Sequence, residues 1–183
     1  MDELRKFIAV LALSVVVLSF AVTALAQVRS MPMEQSNKDL MTALMDTKDT
    51  SMAASLMKTA GLGGMISPEG GYTLFVASDP ALKATSQDLR NQMVDKLKDR
   101  QMAAEFVKGH LVSGTVMPDA MTDGKTLTLI NGMTMTVKVT DGRMMVDDAT
   151  IIKAVKTNDG MIYVMDKIPS SIMTMLEQMG ISH

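Results

Sequence analysis

Apolar side chains recur every three or four positions through much of the stretch between Asn37 and Val107. In one segment Leu89, Met93 and Leu97 fall on a single face, which is the spacing of an amphipathic helix. Residues that favour helix caps, such as Ser86 and Asp99, precede the later segments. Four helices are predicted in this way: one from Asn37, and others over 50–60, 87–97 and 99–107.

Strand-like patterns dominate the second half of the chain. Short runs rich in β-branched and apolar residues are separated by turn signals such as Asn131-Gly132 and Asp141-Gly142. Strands are predicted over 72–77, 125–130, 133–139, 143–146, 150–156 and 161–167. Because the helices and strands are largely segregated along the chain, the predicted fold class is α+β, a single domain rather than alternating βαβ units.

Two hairpins have a predicted register, because their apolar residues must share one face. A two-residue turn at Asp141-Gly142 pairs Val139 with Met144 and places both on the same face. The same turn length at Asn131-Gly132 would put the apolar residues on opposite faces. A longer loop or a bulge over 131–133 is therefore predicted, with Leu129 opposite Met135.

The first 26 residues resemble an export signal. Arg5 and Lys6 precede an apolar run over 7–26, which ends in the small-residue pattern Ala24-Leu25-Ala26. We predict cleavage between Ala26 and Gln27. The alternative is an uncleaved anchor, since 20 apolar residues are about enough to span a bilayer. Either route exports the remaining chain, which is then secreted or held at the cell surface.

The two ends of the exported part carry further predictions. Residues 27–36 have no apolar period and contain Pro32, so a tether is predicted there. Over 170–183 the sequence predicts a C-terminal amphipathic helix. Its apolar face is formed by Ile172, Met175, Leu176 and Met179.

The composition of the chain excludes several classes of function and of site. The net charge is −2 and no basic stripe is present, so a nucleic-acid partner is not expected. The chain has no cysteine, which excludes disulfides and thiolate sites. Methionine is the unusual feature, with 21 residues in 183.

His110 is one of only two histidines, and the other is the last residue. A zinc site needs three or four ligands, and neither a G-x-S-x-G nor an H-E-x-x-H motif occurs. We therefore predict no catalytic residue and no metal at His110, but a buried side chain with hydrogen-bond partners. Gly109, just before it, is predicted to end the helix over 99–107 in a left-handed conformation.

The methionines leave an alternative open. Thioether sulfur is a soft ligand that suits Cu(I), and Met31 and Met33 form a Met-x-Met pair in the predicted tether. The other interpretation is that methionine replaces leucine as a filler of the core, and it applies to most positions. Apart from this weak metal alternative, no cofactor is expected.

Five segments resemble, in order, those of the fasciclin-type (FAS1) domain family. They are "YTLFVASDPAL" (72–82), "FVKGHLVSGTV" (106–116), "DGKTLTLINGMTMTV" (123–137), "VDDATIIKAVKTNDG" (146–160) and "GMIYVMDKIP" (160–169), within a match that spans about 37–169. The resemblance implies an α+β domain with a β-sheet wedge and flanking helices. Its motif residues fall on Thr73, Phe75, Asp79, His110, Gly160 and Asp166.

The sequence departs from that family at three motif positions. Gly109 stands where the family has tyrosine, so the Tyr-His adhesion motif is only half present. Tyr163 stands at a common histidine position, and Asp148 stands where asparagine is usual.

The resemblance implies a non-enzymatic adhesion or binding protein, with a cell-surface or matrix protein or a glycan as partner. Contact with a membrane is expected only through an uncleaved N-terminal segment. The alternative function is a Met-rich exported protein that binds copper or buffers redox stress.

Overall fold

The computed structural model describes residues 31–66 and 70–181 of the 183-residue chain. The predicted leader, including the cleavage site at Ala26 and Gln27, lies outside these residues. The helices are α1 (Leu40–Asp46), α2 (Ser51–Thr59), α3 (Leu62–Met65), α4 (Asp79–Ala84), α5 (Gln87–Lys96), α6 (Arg100–Lys108) and α7 (Ser170–Gln178). The strands are β1 (Met33–Gln35), β2 (Tyr72–Ala77), β3 (Leu111–Ser113), β4 (Thr126–Thr128), β5 (Thr134–Thr140), β6 (Arg143–Val146), β7 (Ala149–Lys156) and β8 (Gly160–Met165).

The strands form one sheet in the order β3-β2-β8-β7-β6-β5-β4, and β1 pairs with β7 outside this path. An antiparallel bridge between Val112 and Leu129 brings the two ends of the sheet together, so the sheet curves toward a barrel. Helices flank this sheet. The predicted α+β class, with a sheet wedge and flanking helices, is confirmed.

The parallel pair of β2 and β8, named the β2–β8 centre, is the most deeply buried pair of strands in the sheet, and Phe75 lies opposite Tyr163 in it. All six residues of β8 are buried. Strands covered on both faces read as continuous apolar runs, which is why "YTLFVA" and "MIYVM" show no alternation.

Of the two predicted registers, one is confirmed and one is wrong. Val139 pairs with Met144, as predicted for the Asp141-Gly142 turn. In the other hairpin Leu127, not Leu129, pairs with Met135. The loop is longer than two residues, as expected. It begins one residue earlier than predicted, because the Leu129 amide donates to the Met133 carbonyl. The observed pairing is shifted by two residues from the predicted one, so the apolar residues stay on the same face.

The prediction of a tether over 27–36 is wrong for Met33–Gln35. These residues form β1, which runs parallel to β7 with Met33 opposite Ala154. The strand is held by its backbone and by an ion pair between Glu34 and Lys153, with an N–O distance of 3.0 Å. All three side chains are exposed, so no apolar period could reveal the strand.

The predicted C-terminal helix is present as α7, with Ile172, Met175 and Leu176 buried on its inner face. Pro169, the N-cap residue of α7, makes no side-chain hydrogen bond to the first turn. Two carboxylates of the β6–β7 turn make these bonds instead. Asp148 accepts from the Ser170 amide at 2.8 Å, and Asp147 accepts from the Ser171 amide at 3.3 Å. These bonds satisfy helix N-terminal donors that would otherwise lack partners.

Methionine fills much of the core. Nine methionines of the described residues are buried: Met57, Met93, Met121, Met135, Met144, Met161, Met165, Met175 and Met179. Unbranched thioether side chains fit irregular space, which a core with few aromatic rings provides. Among the described residues, no helix has the length and apolar character needed to cross a bilayer.

Candidate functional site

His110 lies at the junction of α6 and β3 and is buried, with 6% of its surface exposed. Its Nδ1 lies 2.7 Å from the Phe106 carbonyl oxygen, and its ring is 4.4 Å from the Phe106 ring. A carbonyl only accepts, so Nδ1 carries the proton and donates. Burial lowers the pKa of His110 to about 4, although the bond to Phe106 favours the charged form. The ring is therefore neutral at pH 7.

Gly109 does not have the predicted left-handed conformation, because its φ is −75°. Space explains the glycine instead. A Cβ at this position would lie 1.9 Å from Met175 Sδ and 3.0 Å from Asn131 Nδ2. Thus α7 packs its thioether into the place where a side chain at position 109 would stand.

Thr73 and Asp79, two residues of the first motif, bind neighbouring segments. The Thr73 hydroxyl donates to the Gly114 carbonyl and accepts from the Val116 amide, both at 2.8 Å. The Asp79 carboxylate accepts from the Met52 amide at 2.8 Å and from the amide and hydroxyl of Ser51. It therefore caps α2 from another helix, since the residue at the α2 N-cap offers no side-chain bond.

Phe75, Gly160 and Asp166 belong to the β2–β8 centre. Phe75 stacks on Tyr163 with ring centres 5.3 Å apart. A Cβ on Gly160 would lie 1.9 Å from the Tyr72 carbonyl oxygen, so only glycine fits there. Asp166 accepts from the Thr150 amide at 2.7 Å and holds the end of β8 to β7. Each of these motif residues thus serves the fold.

Tyr163, at the position where histidine is common, is fully buried. Its hydroxyl donates to the Val116 carbonyl at 2.8 Å. Burial, with a contribution from the charge of Asp119, raises the pKa of Tyr163 above its usual value. The hydroxyl stays protonated and links β8 to the loop after β3.

A narrow pocket opens beside His110, between α2, the end of β2, the helices α4 to α6, and α7. It is small, with a cavity volume of about 20 Å³, which is room for about one water molecule. Among the described residues that line it, His110 alone has a polar side chain. The apolar wall includes Leu56, Met57, Met93, Phe106, Ile172 and Leu176. Sequence reasoning missed this pocket, because its lining comes from six separate segments.

The two methionines of the copper alternative differ in environment. Met31 packs against the core and is partly buried, although the sequence predicts a tether at this position. Met33 is 48% exposed on β1. Across residues 31–66 and 70–181, no three His, Cys, Asp or Glu side chains are grouped so as to hold a metal ion. A thioether site at Met31 and Met33 stays a prediction.

The adjacent carboxylates Asp147 and Asp148 occupy a turn, in which Asp147 has a φ of 55°. Both therefore reach the start of α7, which neighbours on a regular strand could not do. Burial opposes ionisation of Asp148, but Lys167 and the Ser170 amide outweigh it and hold its pKa below the usual value. The substitution of aspartate for the asparagine usual at this position thus adds an ion pair with Lys167, at 2.7 Å.

The family model of the fasciclin domain matches residues 48–168. The chain belongs to the fasciclin domain family. A solved structure with the same fold is the FAS1 domain pair from the insect cell adhesion molecule Fasciclin I. The two share a TM-score of 0.54 and 14% sequence identity, and the match covers 71% of this chain and 50% of that one. This chain therefore spans half the length of that domain pair, and α7 lies beyond the family match. No curated protein matches the sequence.

Proposed function

We propose that this fasciclin-domain protein is a non-enzymatic binding protein of the adhesion type, acting outside the cell or on its surface. The observation that carries the proposal is the family match over 48–168, in a family that includes the insect cell adhesion molecule Fasciclin I. The motif residues hold strands and helices together, so recognition falls to the outer surface of the folded domain.

The environment of His110 supports a role without catalysis. The ring is neutral and its Nδ1 is bound to a backbone carbonyl. The other residues that line its pocket are apolar, so none of them offers a nucleophile or a second acid–base group. Hydrolase activity that disappears in a folded His110→Ala variant would contradict this assignment.

The proposed partner is a cell-surface or matrix protein or a glycan. Contacts through a small domain are individually weak, so affinity would increase when many copies are held on one surface. The leader predicted over 1–26 would deliver the protein to that location, either released or anchored.

The test is the retention of protein-coated beads on immobilised matrix proteins and glycans. We expect saturable retention by the folded protein, none by heat-unfolded protein, and no change on adding a metal chelator. Ile152→Lys and Val94→Lys are a matched pair, because both residues are exposed, at 43% and 51%, but on β7 and α5. If binding uses one discrete surface, at most one of the two variants should lose retention.

Two results would overturn the proposal. One is the absence of saturable retention on every surface tested. The other is Cu(I) binding tighter than micromolar that is lost when Met31 and Met33 are replaced, together with no retention. The second result would favour the copper alternative.

A further inference from the structure

We propose that Met175 is a site of reversible oxidation, and that its conversion to the sulfoxide releases α7 from the rest of the domain. The oxidant is hydrogen peroxide, which reaches the sulfur when α7 opens locally. This modification site is separate from the adhesion surface and does not depend on the proposed function.

The Met175 sulfur fills a closely packed space beside Gly109. The point where a Cβ on Gly109 would stand lies 1.9 Å from Met175 Sδ and 3.1 Å from its methyl carbon. The thioether therefore lies directly against the Gly109 backbone, on the buried face of α7. A sulfoxide adds an oxygen to this sulfur and turns an apolar side chain into a polar one. Added volume and an added polar atom both destabilise such a packed contact.

The way in which α7 is attached allows it to open without the rest of the domain. Among the described residues, no backbone-to-backbone hydrogen bond joins α7 to another element. The amides of Ser170 and Ser171 bond instead to the carboxylates of Asp148 and Asp147. The other contacts are made by side chains on one face of the helix, so they separate together when α7 lifts away. Elements attached in this way open at a lower free energy than the core does.

Two methionines of β8 have no comparable route to solvent. Met161 and Met165 are fully buried in a strand whose backbone pairs with β2 on one side and with β7 on the other. Exposing either sulfur requires the sheet to separate, which approaches global unfolding. The buried methionines therefore differ in how much structure must open before peroxide reaches them, and Met175 lies in the element that needs less.

The reaction is a two-electron transfer of oxygen. A lone pair on Met175 Sδ attacks one oxygen of hydrogen peroxide, so that an S–O bond forms while the O–O bond breaks. The sulfur is oxidised and the peroxide is reduced. The proton of the transferred oxygen passes to the departing oxygen, which leaves as water. The oxidised side chain cannot return to its place without burying the new oxygen, so α7 stays released until a methionine sulfoxide reductase restores the thioether.

The test is peroxide treatment of the full-length chain, followed by mass spectrometry of each methionine and by hydrogen exchange of the backbone amides. We expect Met175 to be oxidised after the exposed Met33 but before Met161 and Met165. As the sulfoxide of Met175 accumulates, the amides of α7 should lose protection while those of β8 keep it. Treatment with a methionine sulfoxide reductase should restore the protection of α7.

Two results in the natural chain would overturn the proposal. One is oxidation of Met175 that is no faster than that of Met161 and Met165. The other is full protection of α7 after Met175 is completely oxidised. That second result is expected if the side-chain amide of Asn131, which lies close to the sulfur, binds the new oxygen.

Two leucine variants of α7 separate Met175 from the other methionines. Leucine has about the volume of methionine but no sulfur to oxidise. After peroxide treatment, α7 should keep its protection in Met175→Leu and lose it in Met173→Leu, which changes a partly buried methionine of the same helix. Equal loss of protection in the two variants would overturn the assignment to Met175. If Met175→Leu does not fold, the order of oxidation and protection in the natural chain decides.

Discussion

The β2–β8 centre and the C-terminal helix α7 are built in different ways. At the centre, parallel backbones approach so closely that Gly160 has no space for a Cβ beside the Tyr72 carbonyl. At α7, attachment depends on side chains: Met175 fills the space beside Gly109, and Asp147 and Asp148 cap the first turn. A backbone contact cannot adjust, whereas a side-chain contact can. We infer that the centre is fixed and that α7 is an element added to it.

The largest effect is expected at the fixed centre. Gly160→Ala should lower the free energy of unfolding by at least about 3 kcal/mol, because the new methyl group meets backbone rather than a side chain. Urea denaturation monitored by circular dichroism measures it. Gly64→Ala is the control, since a Cβ at Gly64 has no neighbour within 4 Å, and it should be neutral or slightly stabilising. A similar cost for both would show that the centre is not constrained by this contact.

His110 connects the two regions, and its burial predicts a pH dependence. The pKa is about 4 in the folded chain and 6.5 in a free histidine, so the unfolded state binds more protons between these values. Stability should therefore be complete above pH 6.5 and fall as the pH drops toward 4, by up to about 3 kcal/mol. Denaturation midpoints from pH 7.5 to 4 test this.

The same residue gives a second expectation at pH 7. His110→Ala should cost about 1–3 kcal/mol, since it removes a buried hydrogen bond. In that variant the decline in stability between pH 6.5 and 4 should shrink. A cost below about 0.5 kcal/mol would mean that the side chain is not held as described.

A smaller effect is expected at the α7 attachment. Gly109→Ala places a methyl group against the Met175 thioether, which is flexible and can move. We expect a loss of about 1–2 kcal/mol, less than for Gly160→Ala. Adding Met175→Ala should remove most of the penalty of the alanine at 109, and a double-mutant cycle measures this coupling. Strictly additive effects would contradict the contact.

The smallest effect is expected at Asp148. Asp148→Asn restores the residue usual in the family and keeps an oxygen that can accept from the Ser170 amide. It removes the ion pair with Lys167, which is about half exposed and so contributes little. We expect a change below about 0.5 kcal/mol at pH 7. A loss above 1 kcal/mol in thermal unfolding would show that the charge itself holds α7.

The sequence predicts the β2–β8 centre better than it predicts how α7 is attached. The α5 and α6 helices and their caps at Ser86 and Asp99 were predictable, because capping and apolar spacing are local signals. The fold class followed from the segregation of helices and strands along the chain, and the family followed from five motifs in order. β1 could not be predicted, since a short exposed strand pairs through its backbone alone.

The site shows the same division. The burial of His110 was predicted because the sequence offers neither a set of metal ligands nor a catalytic motif that would give the residue another role. The reason for Gly109 was missed, because it depends on Met175, which lies far away in sequence. The pocket was missed for the same reason. The pair Asp147-Asp148, opposite a helix start at Ser170, was the one signal that could have indicated how α7 docks.

Hydrogen exchange in a Gly109→Tyr variant tests the comparison most directly. This change restores the family's tyrosine and fills the space of Met175. We predict that amides of α7, Ser170–Gln178, lose protection, whereas those of β2 and β8 keep the protection seen in the natural chain. Loss of protection in both regions, or in neither, would contradict the account of a fixed centre carrying an added helix.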